Sequence, residues 1–479
     1  MKPQLILYWA RRDLRLQDNP ALSKAMDHAN KEHIPFAPLF ILEDYMLKAE
    51  VHSQFGYPQR LFLSKALPQF IQKFPTFHII TGKAAQSIIE ISQHYTVHLY
   101  LNQDIHPDFN TQLAKIKQAN ITIHLYKDTL TITPNIQTQT GNIYGVFTPF
   151  KKAVWNKFVT TKLYPLANTQ LPTYHTEPLS PKLSYIDVTE ENIWEAMSHK
   201  RSLIIDNTIY DLDILTPLPD LSPWYFSEKE ALLRFQSYLN TTLPLYNQTR
   251  DSLDQDGTSK MSLALAWGLV SARTLCHLIQ DYLQTDLGDI NNPHLGANTY
   301  ISELIWREFY HYLLFHYPHV LDTEFQPKFH HIQWESGDIA HTRFLSWIQG
   351  KTGYHIVDAA MQQIAQTGWM HNRTRMIVAS ILTKHLGIDW RWGQEYFRAT
   401  LIDLDDASNN GGWQWAASVG ADPKPIRIFN PYLQAEKYDP ESVYQRKWLP
   451  HDYNYDISPI IEHTIARKEA LERYNSIKK

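Results

Sequence analysis

Leu5-Ile-Leu-Tyr-Trp-Ala-Arg-Arg-Asp-Leu-Arg-Leu-Gln-Asp-Asn-Pro20 decides how the first part of the chain is read. Residues 5–9 form an uncharged apolar and aromatic run, as a strand covered on both faces requires. A short basic loop follows. Asp18 or Asn19 can then cap a helix over 19–29, with Pro20 at the first helical position, where a missing N–H costs nothing. The order repeats: further strands are predicted at 34–42, 77–80, 97–101 and 121–125, a second helix at 60–74, and helical patterns between the others. Strands alternating with helices predict an α/β domain with a doubly wound parallel sheet. Such folds bind ligands outside the C-terminal ends of their strands, here loops 10–15 and 102–107.

Two further regions follow this one. Residues 131–222 lack strong periodicity and are rich in Pro and Thr, which reads as a long, mostly irregular linker wrapped over the surface. Helical patterns dominate afterwards, at 227–241, 262–281, 300–316, 341–348, 356–368, 373–386 and 392–402, with a short charged helix at 460–474. The expected architecture is an α/β domain over 1–130, a linker over 131–222 and an all-α domain over 223–479. A chain of 479 residues is too long for one ordinary core, so more than one domain is the natural expectation.

Composition excludes some classes. A single cysteine, Cys276, forbids an intrachain disulfide and fits a reducing compartment; in its apolar surroundings it reads as a small buried side chain. No leader pattern and no run of ~18 apolar residues is present, so a cytoplasmic protein without a membrane span is expected. The net charge of −4 gives no support for nucleic-acid binding, yet a local basic groove would suffice for it. Aromatic residues stand out, with 27 Tyr, 20 Phe and 14 Trp. Half of the tryptophans (334, 347, 369, 390, 392, 413 and 415) fall within 334–415, either as an aromatic core or as a row of one-electron donors.

Several motifs carry chemistry. Asp256-Gly-Thr-Ser-Lys-Met-Ser262 is a turn opening a helix, with hydroxyls beside free N–H groups. By itself it reads first as an ordinary helix cap, and otherwise as a cradle for pyrophosphate. On the 300–316 helix, Glu303, Trp306, Arg307 and Tyr310 share a face opposite the apolar one. That face can hold a planar aromatic ligand, or be solvated with Glu303 paired to Arg307. Residues 401–415 read as an acidic loop, then amides, then Gly411-Gly412, then two indoles. Asp403, Asp405 and Asp406 lack the oxygen ligands of a hard-cation site, and pairing with an Arg is preferred; no metal is expected.

Taken in order, Tyr8-Trp-Ala-Arg-Arg-Asp-Leu-Arg-Leu-Gln-Asp-Asn19, Ser302-Glu-Leu-Ile-Trp-Arg-Glu-Phe309, Lys351-Thr-Gly-Tyr354, Val357-Asp-Ala-Ala-Met361, residues 368–376, Asp389-Trp-Arg391 and residues 401–418 resemble the photolyase/cryptochrome family. The similarity spans essentially the whole chain and is greatest to the class I cyclobutane pyrimidine dimer photolyases.

The resemblance implies FAD, active in its reduced anionic form, at Tyr246, Thr258, Ser259, Lys260, Met261, Ser262, Tyr300, Arg307, Arg375, Asp403, Leu404, Asp405 and Asn409. Asn409 corresponds to the residue at the flavin's reactive edge. Trp413, Trp390 and Trp334 correspond to an electron relay. Catalytic positions would be Glu303, Asn372, Asn409, Trp306, Met376 and Trp415. DNA contacts would come from Arg250, Glu303, Trp306, Arg307, Tyr310, Asn372, Arg373, Arg427 and Gln434. An antenna, methenyltetrahydrofolate or a deazaflavin, is a further implication.

The implied partner is UV-damaged DNA carrying cyclobutane pyrimidine dimers, with no obligate protein partner and no membrane. The amide at Asn409 and the pair Asn372 and Met376 favour dimer repair over signalling and over (6-4) chemistry. Tyr300 and Ser302 depart from commoner family residues. The alternative within the fold is a blue-light-sensing cryptochrome-type flavoprotein without repair activity. A second alternative is a nucleic-acid-binding module that has lost its flavin, with its aromatics stacking on single strands.

Overall fold

β1 (Gln4–Ala10) lies inside a six-stranded sheet and is buried on both faces: Ile6, Tyr8 and Ala10 enter one apolar cluster, and Leu5, Leu7 and Trp9 another. The computed structural model describes residues 2–47, 55–119, 121–130, 136–158, 163, 170–284, 296–421 and 426–478. Parts of the Pro- and Thr-rich segment, among them 131–135, lie outside the described residues. β2 (Phe36–Leu42), β3 (His78–Thr81), β4 (Thr96–Asn102) and β5 (Thr122–Tyr126) join β1 in parallel, and β6 (Ser184–Tyr185) closes one edge antiparallel to β3. The order β5-β4-β1-β2-β3-β6 reverses direction at β1. This is the doubly wound sheet expected, and the C-terminal ends of β1 and β4 form its switch point. The first helix is Pro20–Glu32, capped by Asn19, whose side chain accepts from Leu22 N.

The rest of the described chain is largely helical, with corrections to the sequence reading. The helix expected over 262–281 is two, Ser262–Trp267 and Ala272–Leu283. Gly268 turns left-handed there (φ 63°), a Cβ would moreover run into the backbone of Arg12 and Asp13, and Ser271 caps the second helix. Residues 406–416, which lie in no predicted helix, are a helix (Asp406–Ala416) capped by Asp405. Its Gly411 is a close-contact glycine: a Cβ would enter the ring of Tyr310. The helix expected over 373–386 is α-helical at Asn372–Ser380 and then widens into one π-turn at Ile381–His385.

The segment 131–222 is more ordered than expected. It carries the helices Phe147–Phe158 and Glu190–Met197 and a hairpin, β7 (Ser202–Ile205) and β8 (Thr208–Asp211). Phe150, Val154 and Phe158 recur every four residues, the packed stripe of a helix. Cys276 is buried, and burial pushes its thiol up. Among the described residues no helix is long and apolar enough to cross a membrane.

The loop after β1 is fastened to the helical part by buried charge. Arg15 Nη2 lies 2.6 Å from Asp128, and Arg273 Nη2 lies 2.9 Å from Asp128 and 3.0 Å from Asp18. Both guanidinium groups are almost wholly buried. Burial pushes the Asp128 carboxyl up, but Arg15 and Arg273 outweigh it and hold it below the ordinary carboxylate value. A carboxylate depressed in the folded state contributes stability above its unfolded value of ~3.9, lost as pH falls through the folded value. Asp128→Asn strands buried Arg15 and leaves Arg273 with Asp18 as its carboxylate partner, so it is expected to cost about 3 kcal/mol. Urea unfolding at pH 7 checks the loss, and the variant's stability should fall less steeply than the parent's as the pH is lowered below 4.

Candidate functional site

A cavity of about 490 Å³ opens within the helical part. Most of its wall is built by the turn 258–262, the Gly296–His316 helix, the start of the Asn372–Ser380 helix, and the stretch from Leu401 into the Asp406–Ala416 helix, with Tyr246, Arg250, Asp251, Trp369, Met370 and Phe397 added from elsewhere.

The turn brings Thr258, Ser259, Lys260, Met261 and Ser262 to one end. Gly257 is required because a Cβ would collide with Thr249, while the left-handed residue is Lys260 (φ 55°). Ser259 Oγ accepts from Met261 N (3.2 Å) and pairs with Tyr300 OH (2.9 Å). Thr258 Oγ1 is buried with no hydrogen-bond partner. Tyr246 and Tyr300 meet edge to face at 5.3 Å beside this turn. Arg234 and Tyr225, absent from the sequence reading, hold the carbonyls of Ser259 (3.1 Å) and Lys260 (2.8 Å).

The opposite wall carries charge. Arg375 Nη2 donates to both oxygens of buried Asp403, at 3.0 and 2.8 Å. Asp405 accepts from Ser408 N (2.8 Å) as helix cap and faces His311 Nε2 (2.6 Å) and Arg307 Nη2 (3.5 Å). Burial raises its carboxyl, but His311 and Arg307 together hold it far below the ordinary value. Leu404 lies behind the wall, and its carbonyl accepts from Arg12 Nη1 at 2.8 Å. Asn409 donates Nδ2 to Gln394 O (3.2 Å), and its Oδ1 is buried and unpartnered. Beside it Gly412 lines the cavity with open space above its Cα.

The Gly296–His316 helix presents Glu303, Trp306, Arg307 and Tyr310 to the cavity together. Glu303 does not pair with Arg307. It accepts from Arg250 Nη1 at 2.6 Å, while Arg307 turns to Asp405. Trp306 is backed by Phe147, stacked at 3.6 Å and 8°. Asn372, Met376 and Trp415 complete this mouth, with Asn372 Nδ2 3.9 Å from Met376 Sδ. His371 caps the helix that carries them: its Nδ1 accepts from Arg373 N (3.1 Å), and burial pushes it down to about 4, so the ring is neutral and able to accept.

Of the other expected residues, Arg373, Arg427, Gln434, Trp390 and Trp334 lie outside the cavity wall. Arg373 is paired with Asp251 (2.9 Å) and lies over Tyr438. Arg427 lies over Trp415 at 5.3 Å and lines an adjoining cavity of about 350 Å³. Gln434 sits on the Pro431–Tyr438 helix with its Oε1 buried and unpartnered. Trp413 is buried and lines the cavity, packed against Phe397 (5.0 Å) and Trp347 (6.1 Å). Trp390 is fully buried, and Trp334 is half-buried beside Tyr474.

Two unpartnered buried oxygens, a hydroxyl turn, an Arg–Asp pair and bare Gly412 fit a long dinucleotide with a phosphate middle and a ring that needs a polar partner. The fold and the cavity define a flavin-binding protein of the two-part α/β-plus-helical kind. Residues 300–476 match the FAD binding domain of DNA photolyase, and residues 6–170 match DNA photolyase. A deoxyribodipyrimidine photo-lyase of Neurospora crassa is 34% identical over 98% of this chain and 81% of its own length. A class III photolyase of Agrobacterium tumefaciens is 29% identical with a TM-score of 0.76, covering 100% of this chain and 98% of its own. A Synechocystis cryptochrome shares the fold at a TM-score of 0.80 and 24% identity, over 98% of this chain and 99% of its own. The chain belongs to the DNA photolyase family. It is a lyase and an FAD protein.

Asp403→Ala leaves Arg375 unpaired in the cavity wall. Purified variant protein is expected to carry at least about tenfold less FAD per chain, the equivalent of ~1.4 kcal/mol, measured by the ratio of flavin to protein absorbance.

Proposed function

We propose that this protein repairs cyclobutane pyrimidine dimers in UV-damaged DNA under light. The observation that carries the reading is that one cavity holds both an unpartnered Asn409 Oδ1 and the Glu303–Arg250 pair, between Trp306 and Trp415. When bound, reduced anionic FAD supplies on excitation the electron that opens the cyclobutane ring and receives it back, with no net redox change.

The side chains at the mouth suit a dimer turned out of the duplex. Trp306 and Trp415 wall its apolar faces, and the Phe147 stack fixes the Trp306 plane. The Glu303 carboxylate, oriented by Arg250, accepts from base N–H groups, and the Asn372 amide reaches a carbonyl. Flipping the dimer costs a few kcal/mol, less where damage has weakened pairing. Arg250, Arg373 and Arg427 offset that cost on the phosphates, so affinity should fall with salt. Tyr310 and Gln434 are assigned to the same DNA face. The Thr258–Ser262 turn takes the FAD phosphates, and Arg375 with Asp403, and Arg307 with Asp405, hold its ring system.

Trp413 at the cavity, then buried Trp390, then half-buried Trp334 supports their reading as a relay toward the surface. An antenna fits the crevice of about 320 Å³ at the switch point, where Trp9, Arg11, Asn102 and Asp104 meet Leu265 and His311. In this reading residues 1–130 form the antenna domain, 131–222 the linker and 223–479 the FAD- and DNA-binding domain.

Chemically reduced protein mixed with UV-damaged oligothymidine is expected to restore thymine absorbance under blue light and not in the dark. A yellow protein without recovery would overturn repair in favour of a light receptor. Glu303→Ala, which removes the 2.6 Å partner of Arg250, is expected to lower the yield of repair per absorbed photon while retaining FAD. Trp413→Phe should abolish photoreduction of oxidised FAD while chemically reduced protein still repairs; unchanged photoreduction would sink the relay.

A further inference from the structure

Three histidines meet on the outer part of the sheet, among residues that line none of the three cavities described above. β4 and β5 run parallel with His98 opposite Thr122 and Tyr100 opposite His124, which places His98, Tyr100 and His124 on one face. The Pro20–Glu32 helix packs over β4 and lowers His28 onto the same spot. One ring nitrogen from each of His28, His98 and His124 lies within 4.8 Å of the others. His98 and His124 are stacked at 5.9 Å, and His28 meets His98 edge-on at 5.1 Å.

The hydrogen bonding around them is asymmetric. His28 Nδ1 is engaged by Tyr100 OH at 2.7 Å, which leaves its Nε2. His98 Nε2 faces Gln4 Oε1 at 3.3 Å, while its Nδ1 is buried without a partner. His124 Nε2 is likewise buried without a partner. A hydroxyl and an amide thus hold one nitrogen each of His28 and His98, while His98 Nδ1 and His124 Nε2 are unsatisfied, and hydrogen bonds of this kind orient imidazoles on a metal.

We propose that His28, His98 and His124 form a binding site for a divalent transition metal, separate from the flavin cavity. The ligand set is all nitrogen, which selects Zn²⁺, Ni²⁺ or Cu²⁺ over Mg²⁺ or Ca²⁺. Three ligands leave a fourth position for water. Nitrogens on one zinc ion lie ~3.4 Å apart at Zn–N distances near 2.1 Å, so the rings must draw inward by about an ångström. Closing them would tie edge strand β5 to β4 and to the Pro20–Glu32 helix, a structural role independent of light chemistry.

The test uses the full tag-free chain, stripped with chelator and shown metal-free by elemental analysis. Titration with Co²⁺ is expected to give one saturable equivalent with visible ligand-field absorption, displaced by Zn²⁺, and Zn²⁺ is expected to raise the melting temperature. Mg²⁺ should do neither. His98→Gln and His124→Gln should each lose the equivalent. Tyr100→Phe, which keeps the ligands, should weaken binding by about tenfold. The melting temperature of each metal-free variant separates lost ligation from lost folding; if either histidine variant is unfolded, His28→Gln replaces it. No saturable equivalent in the parent chain, or one that survives in the folded histidine variants, overturns the site.

Discussion

Two guanidinium groups and two carboxylates taken out of water together, Arg15 and Arg273 with Asp18 and Asp128, hold the sheet against the helices. None of the four can be buried alone at tolerable cost, so the loop after β1, the loop after β5 and the start of the Ala272–Leu283 helix must arrive together. The remaining contacts of that loop follow from it. Leu14 N donates to Trp267 O, Arg12 donates to Leu404 O, and Leu16 and Gln17 donate to Glu228, which also pairs with Lys73. Trp267 passes the constraint on, donating Nε1 to Ile402 O at 3.0 Å. The wall that holds Asp403 and Asp405 is thus positioned by charges buried at the junction of the sheet and the helices.

The cavity also depends on where helices touch without side chains. Gly411 admits the Tyr310 ring and Gly393 admits the Trp413 ring; a Cβ at either would occupy ring atoms. The Asp406–Ala416 helix is thereby drawn against both the Gly296–His316 and Trp390–Thr400 helices. Helix formation by Gly411-Gly412 is locally poor, at ~1 kcal/mol per glycine relative to alanine. The Asp405 cap and tertiary packing outweigh it. That packing brings Asn409, Gly412, Trp413 and Trp415 to the cavity on one helix.

The same helix marks where sequence reading failed. The α/β order was legible because β1 has an unbroken apolar run and Asn19-Pro20 is an unambiguous helix start. The face of Glu303, Trp306, Arg307 and Tyr310 was legible because residues three and four apart must share a side. The paired glycines read as a place of close approach, but nothing local reveals that the Tyr310 ring is what approaches Gly411 or that both glycines lie inside a helix. Gly268 failed the other way, its apolar flanks concealing a left-handed turn packed against the distant Arg12 backbone. Partner choice was equally invisible: Glu303 and Arg307 have the spacing of a helical pair, yet Arg250 and Asp405 supply the partners actually taken. His311 stood one turn along from Arg307 and carried no pattern, although it is the nearest cation to Asp405 when protonated. The three-histidine group draws on separate elements, so no local spacing announced it.

Asn409 shows how a remote backbone group fixes chemistry at the cavity. An amide offers both a donor and an acceptor, and either end could face inward. Gln394 O is a carbonyl and can only accept, so it takes the Asn409 Nδ2 and leaves Oδ1 as the unpartnered end of a residue that lines the cavity. The residue therefore presents an acceptor with no proton to give. A carboxylic acid in its place would bring an exchangeable proton to the same spot. Leaving the acceptor as the unpartnered end keeps proton transfer out of a reaction that, in the repair reading, needs only an electron to leave and return. The control resides in the Trp390–Thr400 helix, which carries Gln394, as much as in the asparagine itself.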